Sequence, residues 1–209
     1  MSIELQSAII VIAIFLLVGF PIHEFAHAFV AYRLGDGTAK LFGRLSLNPA
    51  VHFDPIGGLF LVITALLPGG LMFGWAKPTP VNPSNLRDRR NGEVLVALAG
   101  PASNLIMASI AAIIARIIFA ANADIPTLVL AVLITFVQLN VVLAIFNLLP
   151  IPPLDGSSLL FRILSPQQAW QWRPILQQYG FIILIVLIFA LRGPFGALIN
   201  NVTLFLLGF

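Results

Sequence analysis

Cysteine is absent from this chain of 209 residues. Disulfides, thiolate nucleophiles and sulfur ligation of a metal are therefore excluded. Any metal site has to be built from histidine, aspartate, glutamate or backbone oxygen. Charge is nearly as scarce, at 9% of residues, where an ordinary soluble domain has about a quarter. What fills the space is apolar: 59% of residues are hydrophobic and the mean hydropathy is +1.02. A globular core of this size cannot absorb so much apolar surface, so the solvent implied is a lipid bilayer. The formal charge of +3 does not point to nucleic acid, because the basic residues are spread over short loops between apolar runs, as the positive-inside bias requires.

The pattern predicts an all-α polytopic membrane protein, a bundle of five to six hydrophobic segments forming a single transmembrane domain over 1–209. The segments fall at 7–34, 56–67, 94–115, 127–149, 175–191 and 195–209. The N-terminus has no basic stretch ahead of its apolar run and no small-residue cleavage site, so the first segment is expected to be a retained span. Pro21 should kink it and Gly35 should end it. Partial alternation of polar and apolar residues around Gly43, within 38–49, predicts a small interfacial β-hairpin. The segment at 56–67 is too short to span and is cut off by Pro68, Gly69 and Gly70, so 56–73 is expected to be re-entrant. Basic residues flank it on both sides: Arg33, Lys40 and Arg44 before it, Lys77, Arg87, Arg89 and Arg90 after it. Only a re-entrant segment leaves all of them on one, cytoplasmic, side. The N-terminus is then outside.

Against this background the placement of histidine and glutamate is informative. Each occurs three times in the whole chain, yet His23, Glu24 and His27 sit together inside the first span. An ionisable group at membrane depth costs about 2.5–3.5 kcal/mol on insertion scales, and functional use is the default reading of such a group. The sequence is H-E-x-x-H. On a helix, positions i and i+4 share a face, so both imidazoles reach one ion, and Glu24 beside them is able to take a proton from water. Zinc suits these ligands, and a hydrolytic site needs a third ligand with one position left open.

Asp155 is the candidate for that third ligand. It follows Pro150, Pro152 and Pro153, which break the helix that begins near Thr127. Broken backbone at membrane depth is tolerated where it is buried or lines a cavity. With 56–73 re-entrant, the first span and the span ending near Leu149 run in the same direction, which brings Asp155 and the H-E-x-x-H to one face. Gly100, Pro101 and Asn104 lie within another span. There they serve close helix packing, or Asn104 donates to a substrate carbonyl or oxyanion. His52 is read as a fourth zinc contact, a transition-state donor, or an interfacial histidine bonded to Asp54, the last being preferred.

Taken together, "HEFAH" in one span, "GPASN" in a second and "NLLPIPPLDG" ending a third resemble the site-2 protease family of intramembrane zinc metalloproteases, in its compact prokaryotic branch. The likeness covers about 21–156. It implies one zinc per chain bound by His23, His27 and Asp155, with Glu24 as catalytic base. It further implies that Asn104 helps hold the peptide or oxyanion, and that Asn147 supports the aspartate motif. The expected activity is cleavage of a peptide bond in or beside a transmembrane helix of a membrane-protein substrate, in the cell membrane, with the site toward the cytoplasm. The sequence has no room for the PDZ or CBS domains of some members. Two rival readings are a metal-ion transporter, disfavoured by the absence of matching halves, and a non-cleaving binder of membrane proteins, disfavoured by the intact Glu24.

Overall fold

A computed structural model describes residues 9, 10, 12–66, 74–122 and 124–209, and all regular secondary structure among them is helical. Helix α1 is the span Ile12–Arg33. Within it a π-helical turn at Phe15–Gly19 leads into regular helix at Phe20–Arg33. Pro21 has no N–H to give at the start of the regular part, and the widened turn before it accommodates the missing bond. Short helices α2 (Thr38–Leu41), α3 (Pro49–His52) and α4 (Pro55–Leu66) follow. A 3₁₀ turn at Pro83–Asn85 then leads into α5 (Arg89–Ala120), α6 (Thr127–Asn147), α7 (Gly156–Ile163), α8 (Pro166–Ala190) and α9 (Arg192–Leu207).

Among the described residues, four helices, α1, α5, α6 and α8, are long and apolar enough to cross a membrane. The other two expected segments are shorter: α4 has 12 residues and α9 has 16. The hairpin expected over 38–49 is replaced by two single helical turns, α2 and α3. Local side-chain-to-backbone hydrogen bonds outweigh the weak alternation here. Asp36 accepts a bond from the Thr38 N–H, Asn48 accepts from the Ala50 N–H, and Pro49 sits in the first turn of α3. Gly43, at φ +69°, turns the chain between them.

Helix α5 is the hub. Its buried face includes Gly92, Val96, Gly100, Asn104, Ala108 and Ala112, each four residues from the last. Side chains this small let α1 and α6 close on it from two sides. Ala31 of α1 packs with Val96, while Ala108, Ala111, Ala112 and Ala115 form a second core with Val137 and Val141 of α6 and Ile199 and Leu207 of α9. The Arg116 side chain donates to the Phe205 carbonyl near the end of α9.

The end of α1, the start of α5 and the loop after α6 lie at one end of the bundle. The Arg87 N–H donates to the Leu34 carbonyl at 3.0 Å, and Arg90 donates to the Arg162 and Leu164 carbonyls at 2.8 and 3.2 Å. The segment carrying α4 leaves and rejoins the bundle at one level. The Lys77 N–H donates to the His52 carbonyl at 2.9 Å, and Gly57 packs so closely on the Trp75 carbonyl that a Cβ would collide with it. Residues 1–8 and the interruption at 68–70 lie outside the described residues.

Asp36 ties this end together. Its carboxylate accepts from the Thr38 N–H and hydroxyl, the Asn82 N–H at 2.7 Å and the Asn85 amide at 3.0 Å. Burial by itself would raise its pKa, but bonds from Thr38, Asn85 and Asn82 hold it below the ordinary carboxylate value. A depressed folded-state pKa contributes stability that is fully present above about pH 4 and lost as the pH falls through the lower, folded value. Asp36→Asn should therefore cost roughly 1.5–3 kcal/mol near pH 7. It should also lessen the loss of stability on acidification, as read by thermal unfolding in detergent at a series of pH values.

Candidate metal centre

His23 and His27 stand one turn apart on α1, with rings edge to face at 4.7 Å and Nε2 atoms 3.1 Å apart. Asp155 arrives from the far side of the bundle. Helix α6 ends at Asn147, and the proline-rich segment after it folds back so tightly that a Cβ on Gly156 would collide with the Leu148 and Leu149 carbonyls. Gly180 of α8 packs as closely on the Pro152 carbonyl. The result places Asp155 Oδ2 3.5 Å from His23 Nε2 and 3.4 Å from His27 Nε2.

These three residues suit a metal ion. Ligand atoms about 2.0–2.2 Å from a tetrahedral zinc lie about 3.3 Å from one another, and the observed separations are 3.1, 3.4 and 3.5 Å. Asp155 Oδ2 is also a buried oxygen without a hydrogen-bond partner among the described residues. A charged atom at this depth without a partner is costly unless a cation meets it.

The far sides of the imidazoles explain why both present a lone pair to the same point. His27 Nδ1 lies 2.7 Å from the Val96 carbonyl. A carbonyl only accepts, so Nδ1 carries a proton, and in the neutral imidazole Nε2 is left bare. His23 reaches the same state through two amides. The Asn140 amide donates to the Phe136 carbonyl at 2.9 Å, which turns Asn140 Oδ1 toward Asn104. Asn104 Nδ2 donates to that oxygen at 3.0 Å, which turns Asn104 Oδ1 toward His23 Nδ1 at 2.6 Å. The tautomer of His23 is thus set by a carbonyl two residues removed from it. Gly100 lets α5 approach: a Cβ there would overlap both imidazoles.

The ligands open onto a cavity of about 510 Å³, lined by Glu24, Thr79, Asn147 and Phe181 among others. Glu24 is buried with the histidines, and its Oε2 accepts from the Thr79 N–H at 3.1 Å and the Thr79 hydroxyl at 2.7 Å. Asn147 also lines this cavity, and its amide donates to the Leu143 carbonyl of its own helix at 3.0 Å. Asn104 sits elsewhere. It is fully buried behind His23, gives one amide N–H to Asn140 and does not line the cavity, where an oxyanion donor was one expectation. His52 does not join the metal ligands and does not bond Asp54. Its Nε2 donates to the Ser46 carbonyl at 2.7 Å, while Asp54 caps α4 through the Ile56 and Gly57 N–H groups. His52 lines a second, apolar cavity of about 560 Å³ between α1, α4 and α6. Sequence reasoning missed Thr79 altogether; its one visible signal was a lone N–H between two prolines.

Comparison with known proteins gives a consistent set of relatives. The model for "Peptidase family M50" matches residues 115–191. The chain is 39% identical over 188 residues to "Putative zinc metalloprotease YwhC" of Bacillus subtilis, covering 88% of this chain and 82% of that one. It is 35% identical over 169 residues to "Putative zinc metalloprotease Rip2" of Mycolicibacterium smegmatis, covering 80% of this chain and 62% of the relative. The protein of the same name from Mycobacterium tuberculosis (strain H37Rv) is 34% identical over 174 residues, 83% of this chain and 64% of its own. The chain thus spans less than two thirds of the length of these two proteins. No solved structure matches at a significant level.

The relay behind His23 predicts that Asn104→Leu weakens zinc binding about 10- to 100-fold, with Asn140→Leu acting in the same direction. Chelator competition on purified protein would measure both, and unchanged affinity in Asn104→Leu would refute the relay. Gly100→Ala should lose zinc through steric displacement of the imidazoles, as read by elemental analysis.

Proposed function

The chain belongs to peptidase family M50, the site-2 proteases, and is a membrane zinc metalloprotease; from that premise we propose that it hydrolyses a peptide bond in or beside a transmembrane helix of a membrane-protein substrate. The observation that carries this reading is the meeting of His23, His27 and Asp155 from separate segments, beside Glu24, in one cavity. A transporter would need a path for the ion through the bundle; here the ligands face a pocket with a carboxylate poised at its wall.

His23, His27 and Asp155 would hold the zinc, which when bound would supply a Lewis acid for the carbonyl and lower the pKa of water toward roughly 7. Glu24 takes the proton of the attacking water as its oxygen bonds to the peptide carbon, and delivers that proton to the amine nitrogen as the C–N bond breaks. Asn147 is the cavity-lining amide available to hold the peptide. The apolar walls of both cavities support a hydrophobic substrate. The second cavity shares Phe20, Gly74, Trp75, Ala76 and Leu143 with the first, which gives a segment from the bilayer a continuous apolar approach. The return of the chain beside His52 at Lys77 supports basic loops and a site on one, cytoplasmic, side with the N-terminus outside; residues 67–73 of the expected re-entrant segment lie outside the described residues.

Glu24→Gln should retain about one zinc per chain while cleavage of a transmembrane substrate falls below detection. Asp155→Ala should lose the zinc. Preserved cleavage in Glu24→Gln would remove the base assignment, and zinc retained equally in Asp155→Ala would remove Asp155 from the site.

A further inference from the structure

We propose that Thr79 is a positioning residue for Glu24: its hydroxyl and backbone N–H fix one carboxylate oxygen so that the other is presented to the attacking water. This rests on the reading of Glu24 as the base.

Glu24 needs such help because of where it sits. Successive residues of a helix are turned by about 100°, so the glutamate leaves α1 beside the ligand face rather than on it. Among the described residues, none of α1 bonds its carboxylate. The orientation comes from residues 77–82, which run without helix along one wall of the cavity. Three N–H groups anchor this strap. That of Lys77 donates to the His52 carbonyl at 2.9 Å, that of Thr79 to Glu24 Oε2 at 3.1 Å, and that of Asn82 to Asp36 Oδ2 at 2.7 Å. Pro78 and Pro80 have no N–H at all. They also hold their own φ near −65° and bias the residue before each toward extended backbone, so the Thr79 N–H is delivered to one place.

The side chain adds a second donor to the same oxygen. The Thr79 hydroxyl lies 2.7 Å from Glu24 Oε2 and 3.2 Å from the Glu24 carbonyl. It has one proton, and the shorter bond to a charged acceptor takes it. Two donors on Oε2 fix the plane of the carboxylate, and among the described residues Oε1 has no hydrogen-bond partner. A base held in this way loses less on reaching the transition state than one that rotates freely. Valine at this position would keep the shape and the N–H bond and remove only the hydroxyl.

The test combines two measurements on the full chain in detergent. The first is a double-mutant cycle on thermal stability with Thr79→Val and Glu24→Ala, which needs no substrate. Thr79→Val is expected to lower the melting temperature when Glu24 is present and to have no further effect in Glu24→Ala. The second is cleavage of α-casein, an unfolded probe, by zinc-loaded protein. Thr79→Val should keep its zinc and a KM within about twofold of the parent, with kcat reduced about tenfold or more. Thr79→Ser should recover most of that loss. Additive stability effects, an unchanged kcat, a defect confined to KM, or a serine variant as impaired as the valine variant would each overturn the proposal. Glu24→Gln run alongside separates the two readings. Coupling in the cycle together with cleavage that survives Glu24→Gln overturns the base assignment and reduces the contact to a structural one. Absence of coupling with cleavage abolished by Glu24→Gln overturns the role of Thr79 alone.

Discussion

A hydrogen-bond donor buried at membrane depth has to end on an acceptor that cannot donate back, and in this protein two carbonyls of the main chain, those of Val96 and Phe136, do so for the whole metal centre. Each polar group between them and the ligands then has only one way to turn. The Asn140 and Asn104 amides are oriented, the protons of both imidazoles sit on the outer nitrogens, and both inner nitrogens are bare. In water these choices would be made and lost continually. Between α1, α5 and α6, where no solvent competes, they are fixed by the geometry of the helices.

That arrangement depends in turn on how closely the helices approach. Helix α5 carries Gly100 against the imidazoles, so its backbone closes the back of the site without a side chain to displace the ligands. The same seam of small residues continues as Ala108 and Ala112 into the packing with α6, which registers Asn104 against Asn140. Helix packing and the orientation of His23 are here one feature: a shift of α6 by a single turn would disconnect Asn140 from Asn104.

Irregular backbone supplies the rest. A continuous helix after Asn147 would carry Asp155 away from the histidines, and the prolines at 150, 152 and 153 forbid it. The strap at 77–82 is irregular for the same reason, since Pro78 and Pro80 cannot join a ladder of hydrogen bonds. Both segments are held by close contacts to glycine or to charged acceptors: Gly156 and Gly180 for the first, Asp36 and Glu24 for the second. In each case the chain gives up regular structure where it has to bring a polar group to the cavity.

The sequence by itself pointed to the bilayer, placed apolar segments where the four long helices lie, and singled out His23, Glu24, His27 and Asp155 as candidates, from composition, from spacing along one helix and from the proline-broken end of another. His23 and His27 are neighbours on any helix, and their cost inside a span made them conspicuous. Short-range alternation misled at 38–49, where the bond from the Thr38 N–H to Asp36 and capping by Asn48 decided the local structure instead. It also could not assign His52, whose acceptor, the Ser46 carbonyl, leaves no mark in the pattern of side chains. What only the tertiary structure decided is which polar atoms meet across helices: Asn104 with His23 and Asn140, and Thr79 with Glu24. Those partners lie 36 to 81 residues apart, and the crossing of helices that joins them is set by small residues and broken backbone acting together, which no single window of sequence contains.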